Sequence, residues 1–591
     1  MLAIKVNNEF IDLPADVSLE LERNNPFLSD DDIQGEYSLG LTISYTEKNY
    51  RLLQFTGNFY KPTQKYIVDA EIYDAGMFRY AGQLVITQHS SNMNNIEQTV
   101  WTGFFTIGSA AFLQSIQDVL LEDVDYGGDR SFTWNGADPN SGAGTFWQHI
   151  HEARVPNAFP YTFYPIYNDS FASDYRTRWM NKLNPQNNFE APIGDMSAYM
   201  ELGNAISLCP AIYLSYLLQQ IFANFGWKLS GEILDDTGFK KITIPSFNSI
   251  HWTDYNRRGP DQRLEYSQSS PIVFDLADHV PPDLSIGSFL VSIKNRKGWW
   301  FYFDSNTKTA YLHSYKSNIA APVKDWTKYV QSTYTADYSD PDKVYSLVNN
   351  IDPADDYPVT LNIDESLITR IASRASLPAP GIDYDGQYYF IFNENSYYLC
   401  EIDESTSDYA WHFAANNIGD YTPANADTTI ESDISTMPGS LIAASSGANI
   451  LVPQCQVAGN YWHSTLGDQS WGVRFLFYHG MFPDTDGNNY PYASAVNETI
   501  SGRATGDWSL PYRHQFGAVN DGTYDYWWKE WLKLLSIQDT RTFTLALPVN
   551  ELRNFSFSDR IFINNVFFTV ASAKETLPYK DLIEMKMKRI Y

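Results

Sequence analysis

Short strand-like runs open the chain: Leu41 to Tyr45, Gln64 to Tyr73 and Leu84 to Thr87, separated by segments holding turn residues such as Gly57-Asn58 and Gly76. They predict a β-module. Phe112, Leu113, Ile116, Val119 and Leu120 then recur at one-face helical spacing, so an amphipathic helix is expected to close the module, with a boundary near residue 130. From Gly127 to Met200 the chain is rich in Gly, Asn, Pro and aromatics with little periodicity, which reads as an ordered, loop-rich insertion.

The strongest helical signal is Pro210 to Trp227, where Leu214, Leu217, Leu218, Ile221, Phe222 and Phe225 form one apolar stripe. Pro210 suits the first turn, Gly226 a left-handed stop, and Trp227-Lys228-Leu229 leads away as a strand. A second helix is expected after Ser285, carrying Phe289, Leu290 and Ile293 and ending at Gly298. Trp299 to Phe303 and Thr309 to His313 then read as a hairpin around Asp304-Ser305-Asn306-Thr307, whose side chains can cap their own backbone. Between 330 and 540 the chain is dense in Asp, Tyr, Gly and Asn, with a hairpin expected for Tyr388 to Phe392 and Tyr397 to Ile402. Tyr524 to Leu535 has a helix-compatible pattern, and Arg541 to Leu547, Arg560 to Asn564, Val566 to Val570 and Leu582 to Met587 read as strands. No repeat of 20 to 50 residues is visible, which removes solenoids and propellers.

The expected fold is therefore α+β, β-rich and multidomain. The expected division is 1–130, an N-terminal β domain with its closing helix; 131–204, the loop-rich insertion; 205–330, an α/β domain with amphipathic helices and a hairpin; 331–540, a β-rich domain with long loops; and 541–591, C-terminal strands completing a β domain. Length agrees, since 591 residues exceed what one hydrophobic core normally serves. Composition adds that the chain folds: 43% of residues are hydrophobic and 16% aromatic, including 41 Tyr, 35 Phe and 16 Trp. So many rings imply both strands and contact surfaces.

Charge narrows the function. With 41 Lys plus Arg against 70 Asp plus Glu, the net charge is −29, and the densest basic groupings are Arg257-Arg258, Lys294 to Lys297 and Lys586 to Arg589. A grip on a nucleic acid by counterion release needs more clustered cations than these, so no specific nucleic-acid binding is expected. An acidic wall suits a conduit through which a polyanion slides, although acids also simply keep a large assembly soluble. Cys209, Cys400 and Cys455 are widely separated and form no CxxC pair, so neither a zinc site nor a disulfide framework organises the chain. Met1 to Phe10 lacks the apolar core of a signal peptide, and no window approaches the ~20 apolar residues of a membrane span, which reads as a soluble chain made in the cytoplasm.

Candidate chemistry is sparse. His149, His151 and Glu152 form His-x-His-Glu, which on a strand would put both imidazoles on one face as a metal site could use; with no remote partner in view, surface or inter-subunit histidines are expected instead. Asp484-Thr485-Asp486-Gly487-Asn488 has the look of a calcium loop, but the Gly falls early and Ala495 stands where the loop needs Glu, so a Gly-containing hairpin turn is expected. Trp462, Trp471, Trp508, Tyr388, Tyr389, Tyr397 and Tyr398, mixed with Asp and Asn, could form sugar-stacking platforms, against which stand ordinary core and interface aromatics. A glycoside hydrolase would need two carboxylates at ~5–9.5 Å, a distance that no sequence shows. No Walker-type, Gly-x-Ser-x-Gly or His-Glu-x-x-His motif occurs, so the chain is expected not to be an enzyme and no catalytic, cofactor-binding or metal residue is nominated.

Several segments carry a resemblance. The opening has Leu13-Pro14, Leu19-Glu20-Leu21-Glu22, Asn25-Pro26-Phe27, Gly35-Glu36-Tyr37-Ser38-Leu39 and Lys48-Asn49. The middle has Phe225-Gly226-Trp227-Lys228-Leu229-Ser230-Gly231, His279-Val280-Pro281-Pro282, Phe289-Leu290 and Phe303-Asp304-Ser305-Asn306-Thr307. Tyr526-Trp527-Trp528-Lys529-Glu530-Trp531-Leu532 and Phe555-Ser556-Phe557-Ser558-Asp559-Arg560-Ile561 match less closely. Together they resemble the baseplate or tail hub proteins of tailed bacteriophages, related in kind to the hubs of contractile injection systems, over most of the chain except roughly 315–515.

The resemblance implies two tail-tube-like β-barrel domains per subunit, with the α/β and loop-rich domains inserted. It implies a homotrimer whose six barrels mimic a sixfold ring, join the tail tube to the tip and line the DNA exit channel. Implied partners are a tail tube or distal tail ring, a tape measure, and tip or fibre proteins; the implied place is the virion tail. The alternatives are a receptor-binding tail adhesin recognising host surface glycans, or a tail-associated polysaccharide or peptidoglycan hydrolase.

Overall fold

The computed structural model describes most of the chain between Leu2 and Ile590; the longer stretches outside the description are 54–65, 133–145, 172–177, 184–206, 258–263, 356–381, 404–407, 414–420, 460–469 and 496–522. The N-terminal module is built from β1 (Leu2–Val6), β2 (Glu9–Phe10), β3 (Leu19–Asn24), β4 (Glu36–Ser38), β5 (Leu41–Ser44), α1 (Glu47–Leu52), β6 (Tyr66–Asp74), β7 (Met77–Asn92) and β8 (Asn95–Ile107). Alternation explains the strands: β1 and β3 bury every second residue, Leu2, Ile4 and Val6, then Leu19, Leu21 and Arg23. Asn7 and Asn8, both at positive φ, turn β1 into β2. The inward rows close a core around Ile72, Leu84, Trp101 and Phe105. The closing helix, α2 (Ser109–Ser115), stops short of the expected stripe, and Leu121–Asp123 forms a 3-10 turn instead.

The central module carries α3 (Phe146–Glu152), β9 (Tyr161–Thr162), β10 (Ala211–Tyr213), α4 (Leu214–Asn224), β11 (Lys228–Ser230), β12 (Ile242–Pro245), α5 (Ile286–Lys297), β13 (Trp299–Asp304) and β14 (Thr309–Ser314). α4 buries the expected Leu214, Leu217, Leu218, Ile221 and Phe222, and Gly226 takes the left-handed stop at φ 69°. Pro210 does not open this helix: the short strand β10 stands between them. In α5, the Ser285 hydroxyl accepts the Ser288 N–H, and Gly298 ends the helix at φ 67°. β13 and β14 pair in register from Trp299↔Ser314 to Asp304↔Thr309, as the hairpin pattern predicts.

The chain next contributes β15 (Val323–Asp325) and β16 (Val330–Asp337) to a C-terminal module. It returns to the centre with β17 (Leu476–Pro483) and β18 (Asn489–Ser494), which extend the sheet β9-β10-β12-β17-β18. It then ends with α6 (Lys529–Ser536), β19 (Thr540–Leu545), β20 (Arg560–Ile563), β21 (Val566–Leu577) and β22 (Ile583–Ile590). A π-helical turn, Tyr524–Trp528, leads into α6, and Trp528 of the turn stacks on Trp531 of the helix at 4.7 Å. The C-terminal module has its own core around Trp326, Phe543, Leu545, Phe568 and Met585. The expected hairpin at 388–402 forms between Gln387–Asn393 and Ser396–Asp403.

One fourteen-stranded sheet links the two outer modules in the order β2-β1-β6-β7-β8-β4-β3-β21-β22-β19-β16, with β5, β15 and β20 off this path. β3 and β21 make the seam, paired antiparallel from Leu19↔Leu577 to Asn24↔Ser572. Among the described strands no sheet closes into a barrel.

Candidate assembly interface and the joints between modules

The seam is locked by a buried charge pair. Arg79 Nη2 meets Glu575 Oε1 at 3.0 Å, with side chains only 3% and 1% exposed. The Tyr80 hydroxyl donates to Glu575 Oε2 at 3.0 Å. Arg23 lies over the Tyr80, Phe555 and Phe557 rings at 5.3–5.9 Å, and Arg79 over Tyr579 at 5.6 Å. Burial pulls the Arg79 pKa down, but Glu575 beside it outweighs that and leaves it raised. Burial, then Glu575, pushes the Tyr80 phenol far above its usual range. Asn25 Nδ2 adds a bond to the Val570 carbonyl at 2.7 Å, and Asp74 accepts the Tyr579 N–H at 2.8 Å. These groups hold two modules in one relation.

A second joint is the β13–β14 turn. Asp304 Oδ1 accepts the Asn306 N–H at 3.0 Å and Oδ2 the Thr307 hydroxyl at 2.8 Å, the self-capping that the sequence suggests. The capped tip reaches the N-terminal module: Ser305 Oγ accepts the Gly108 N–H at 2.5 Å, Asn306 Oδ1 the Ala81 N–H at 2.9 Å, and Lys308 Nζ meets Asp69 at 3.3 Å. Beside it lies an open groove of about 460 Å³, lined by Asn7, Asn8, Glu71, Gln83, Phe225 and Trp227 among others. Its cations are paired, Lys5 with Glu71 at 3.2 Å and Lys308 with Asp69.

Exposed apolar groups gather at both ends of the long sheet. At the β2 end, Phe10 packs edge-on against Tyr73 at 5.3 Å and Tyr73 against Phe78 at 5.8 Å, with Met77 exposed nearby in sequence. At the β16 end, Tyr334 is 56% exposed, with the Phe543 ring at 5.6 Å and the Arg541 guanidinium at 5.5 Å.

The residues singled out from sequence scatter. His149 and His151 lie on a helix, α3, not on a strand, and two residues apart on a helix means about 200° of rotation, so they do not converge. His149 Nε2 bonds the Tyr161 hydroxyl at 2.6 Å and its ring packs against Phe132 at 4.4 Å and Phe159 at 4.5 Å. Burial pushes the His149 pKa down to about 4; burial, then Arg154, does the same to His151. Glu152 accepts from the Gln148 amide at 2.9 Å. Phe146, Ile150 and Ala153, all buried at helical spacing, are the signal that would have marked α3. Among the described residues no group of three His, Cys, Asp or Glu is placed to hold a metal.

Asp484 and its neighbours form the β17–β18 turn, as expected: Asp484 Oδ1 accepts the Asp486 N–H at 2.9 Å and the Asn488 N–H at 2.8 Å, and Gly487 sits at φ 88°. Trp471 is buried, 6.1 Å from the Phe247 ring, and so offers no platform. Trp462 and Trp508 lie outside the described residues, while Tyr388, Tyr389, Tyr397 and Tyr398 sit on the hairpin strands. Cys209 and Cys455 are free and buried, burial raising both thiols; Cys400 lies on the strand Ser396–Asp403.

The basic stretch Lys294 to Lys297 is buried, so it is no surface grip for nucleic acid. Lys297 Nζ lies 5.3 Å from the Phe477 ring, its pKa lowered by burial and then by Arg296. In the C-terminal stretch, Lys588 Nζ donates to the Leu535 carbonyl at 2.9 Å; Arg257 lies on the strand Thr253–Arg257 and Arg258 outside the described residues. One cluster had no sequence signal at all: buried Arg474 meets Asp352 at 2.7 Å and Asp355 at 3.2 Å.

No protein-family model and no curated protein matches the chain. Solved structures do align along nearly its full length. The 43 kDa tail protein of prophage MuSo2 from Shewanella oneidensis aligns at 8% identity and TM-score 0.32, covering 100% of this chain and 98% of that one. A prophage tail protein from Listeria monocytogenes aligns at 8% and 0.31, covering 99% and 94%. A tail protein from Neisseria meningitidis aligns at 8% and 0.25, covering 99% and 95%.

Proposed function

We propose that this chain is a structural subunit of a phage tail, acting as a baseplate hub that assembles as a homotrimeric ring. In this reading the N-terminal and C-terminal β-modules are the two tail-tube-like, barrel-like units of each subunit, and the central module is inserted between them. Three copies present six such units to a sixfold tube and adapt it to a threefold tip or fibre. The ring encloses the channel through which the genome leaves, and its partners are the tube or distal tail ring, the tape measure and the tip proteins.

The observation that carries the reading is the single sheet running through both β-modules, welded at β3–β21 and locked by Arg79–Glu575. Two modules fixed edge to edge through a paired seam move as one unit, which is what a ring segment needs. The sequence resemblance supports the same role, and the net charge of −29 suits a wall that repels phosphate. The reading assigns the chain no catalytic role and no cofactor.

Mass photometry of the purified protein tests it. The expected result is a particle of three 67.5 kDa chains, seen in negative stain as a ring with an open centre. A solitary chain at every concentration overturns it. Turnover of purified host polysaccharide would favour the hydrolase instead, and tight glycan binding by a monomer the adhesin.

A further inference from the structure

We propose that copies join head to tail by strand addition, the open edge of β16 in one copy pairing with the β2 end of the same sheet in the next. This rests on the ring reading above and goes beyond it by naming the edges.

Among the described strands β16 pairs only with β19, so the hydrogen-bonding groups along its other edge face no described strand. Its residues are also open on both faces: Gln331, Thr333, Tyr334 and Thr335 are all exposed, although side chains on a strand alternate between faces. A strand in this position is a template for another chain, and stable monomers blunt such edges with Lys, Pro or inward charges. β16 contains no Lys or Pro and its one charged residue is the terminal Asp337; its Val, Thr and Tyr favour strand pairing. One irregularity lies between Val330 and Tyr334, after which Tyr334 to Asp337 run in regular register with Phe543 to Thr540, about 13 Å of straight edge.

The occupant is a second copy because the same sheet supplies the complementary end. β2 closes the opposite end of the path, pairs only with β1 among the described strands, and carries Phe10 44% exposed beside the Tyr73 and Phe78 rings. The two ends differ in sequence, so the contact is heterologous, and a heterologous contact that closes makes a ring. Tyr334 and Phe10 give such a seam aromatic cover of the kind enriched at protein interfaces.

Two variants separate the ends. T333K/T335K places charge on β16 and F10D on the β2 end; these side chains are exposed, so an unchanged melting temperature certifies each fold. By mass photometry, each variant alone is expected to be monomeric. An equimolar mixture is expected to give dimers and no larger species, since each copy then keeps one competent end. Rings formed by T333K/T335K alone would overturn the edge assignment and leave the ring reading standing. Dimers of F10D alone would mean that β16 pairs with itself, which also overturns it. A wild-type protein that never self-associates removes the ring reading and this inference together.

Discussion

At the scale of single residues, the seam is where one atom matters most. Arg79 and Glu575 are both withdrawn from water, and removing one member strands the other's charge, at a cost of about 3–5 kcal/mol. Arg79→Met is therefore expected to lower the urea midpoint sharply. Adding Glu575→Gln to it should recover a large part of the loss, because the neutral amide can still take the Tyr80 hydrogen bond. Equal losses for single and double variants would show that the pair is not what locks the seam. His149 gives a pH signature instead. Its folded pKa is pushed down to about 4, below the ~6.5 of an unfolded histidine. The sign follows: above ~6.5 its neutral form costs nothing, and as pH falls from there to about 4 the unfolded chain takes up a proton that the native site refuses. Stability should fall across that window, by roughly 1–2 kcal/mol from this group, because solvent reaches part of the ring and screens the effect. In His149→Gln, melting temperature against pH should be flatter between pH 6.5 and 4, whatever the variant's absolute stability.

At the scale of elements, backbone conformation sets the sharpest expectation. Gly231 leaves β11 at φ 120°, and a Cβ there would stand 2.2 Å from the Leu312 carbonyl oxygen of β14. Gly231→Ala combines a strained φ with a backbone clash and is expected to cost about 1–3 kcal/mol or more. Ser285→Ala removes the N-cap of α5 together with an exposed bond to the Ser288 hydroxyl and should cost ~1 kcal/mol by thermal or urea unfolding. These are also the features legible in the sequence. α4, α5 and the β13–β14 hairpin were readable because stripe, cap and turn residues lie within a few positions of one another. α3 was not, because the four residues His149 to Glu152 fit either period and Phe146, Ile150 and Ala153 had to be read with them. The seam was invisible for a different reason. Nothing local says that Leu19 to Asn24 pairs with strand residues more than 500 positions away, or that Arg79 meets Glu575. The one clue was Glu575 standing in the inward row between Ala573 and Leu577, where alternation calls for an apolar residue.

At the scale of the whole molecule, charge and edge chemistry together decide how assembly responds to salt. Each copy carries a net charge of −29, and a closed ring brings these charges together around one axis. Their mutual repulsion opposes closure, and it reaches furthest at low ionic strength, where the screening length is about 30 Å at 0.01 M against about 10 Å at 0.1 M. The proposed seam is different in kind: the charged residues on its two strands, Asp337 at the end of β16 and Glu9 on β2, are both acidic, so salt takes no attraction away from backbone pairing and aromatic cover. Raising salt from 0.01 to 0.3 M should therefore increase the fraction of rings at a fixed protein concentration. This is the reverse of a basic grip on nucleic acid, whose affinity falls steadily with salt. Sedimentation velocity across that range reads the outcome directly. Rings that come apart as salt is added would mean that the copies are held by ion pairs, and neither the cation-free edge nor the repelling wall would survive as an account of the assembly.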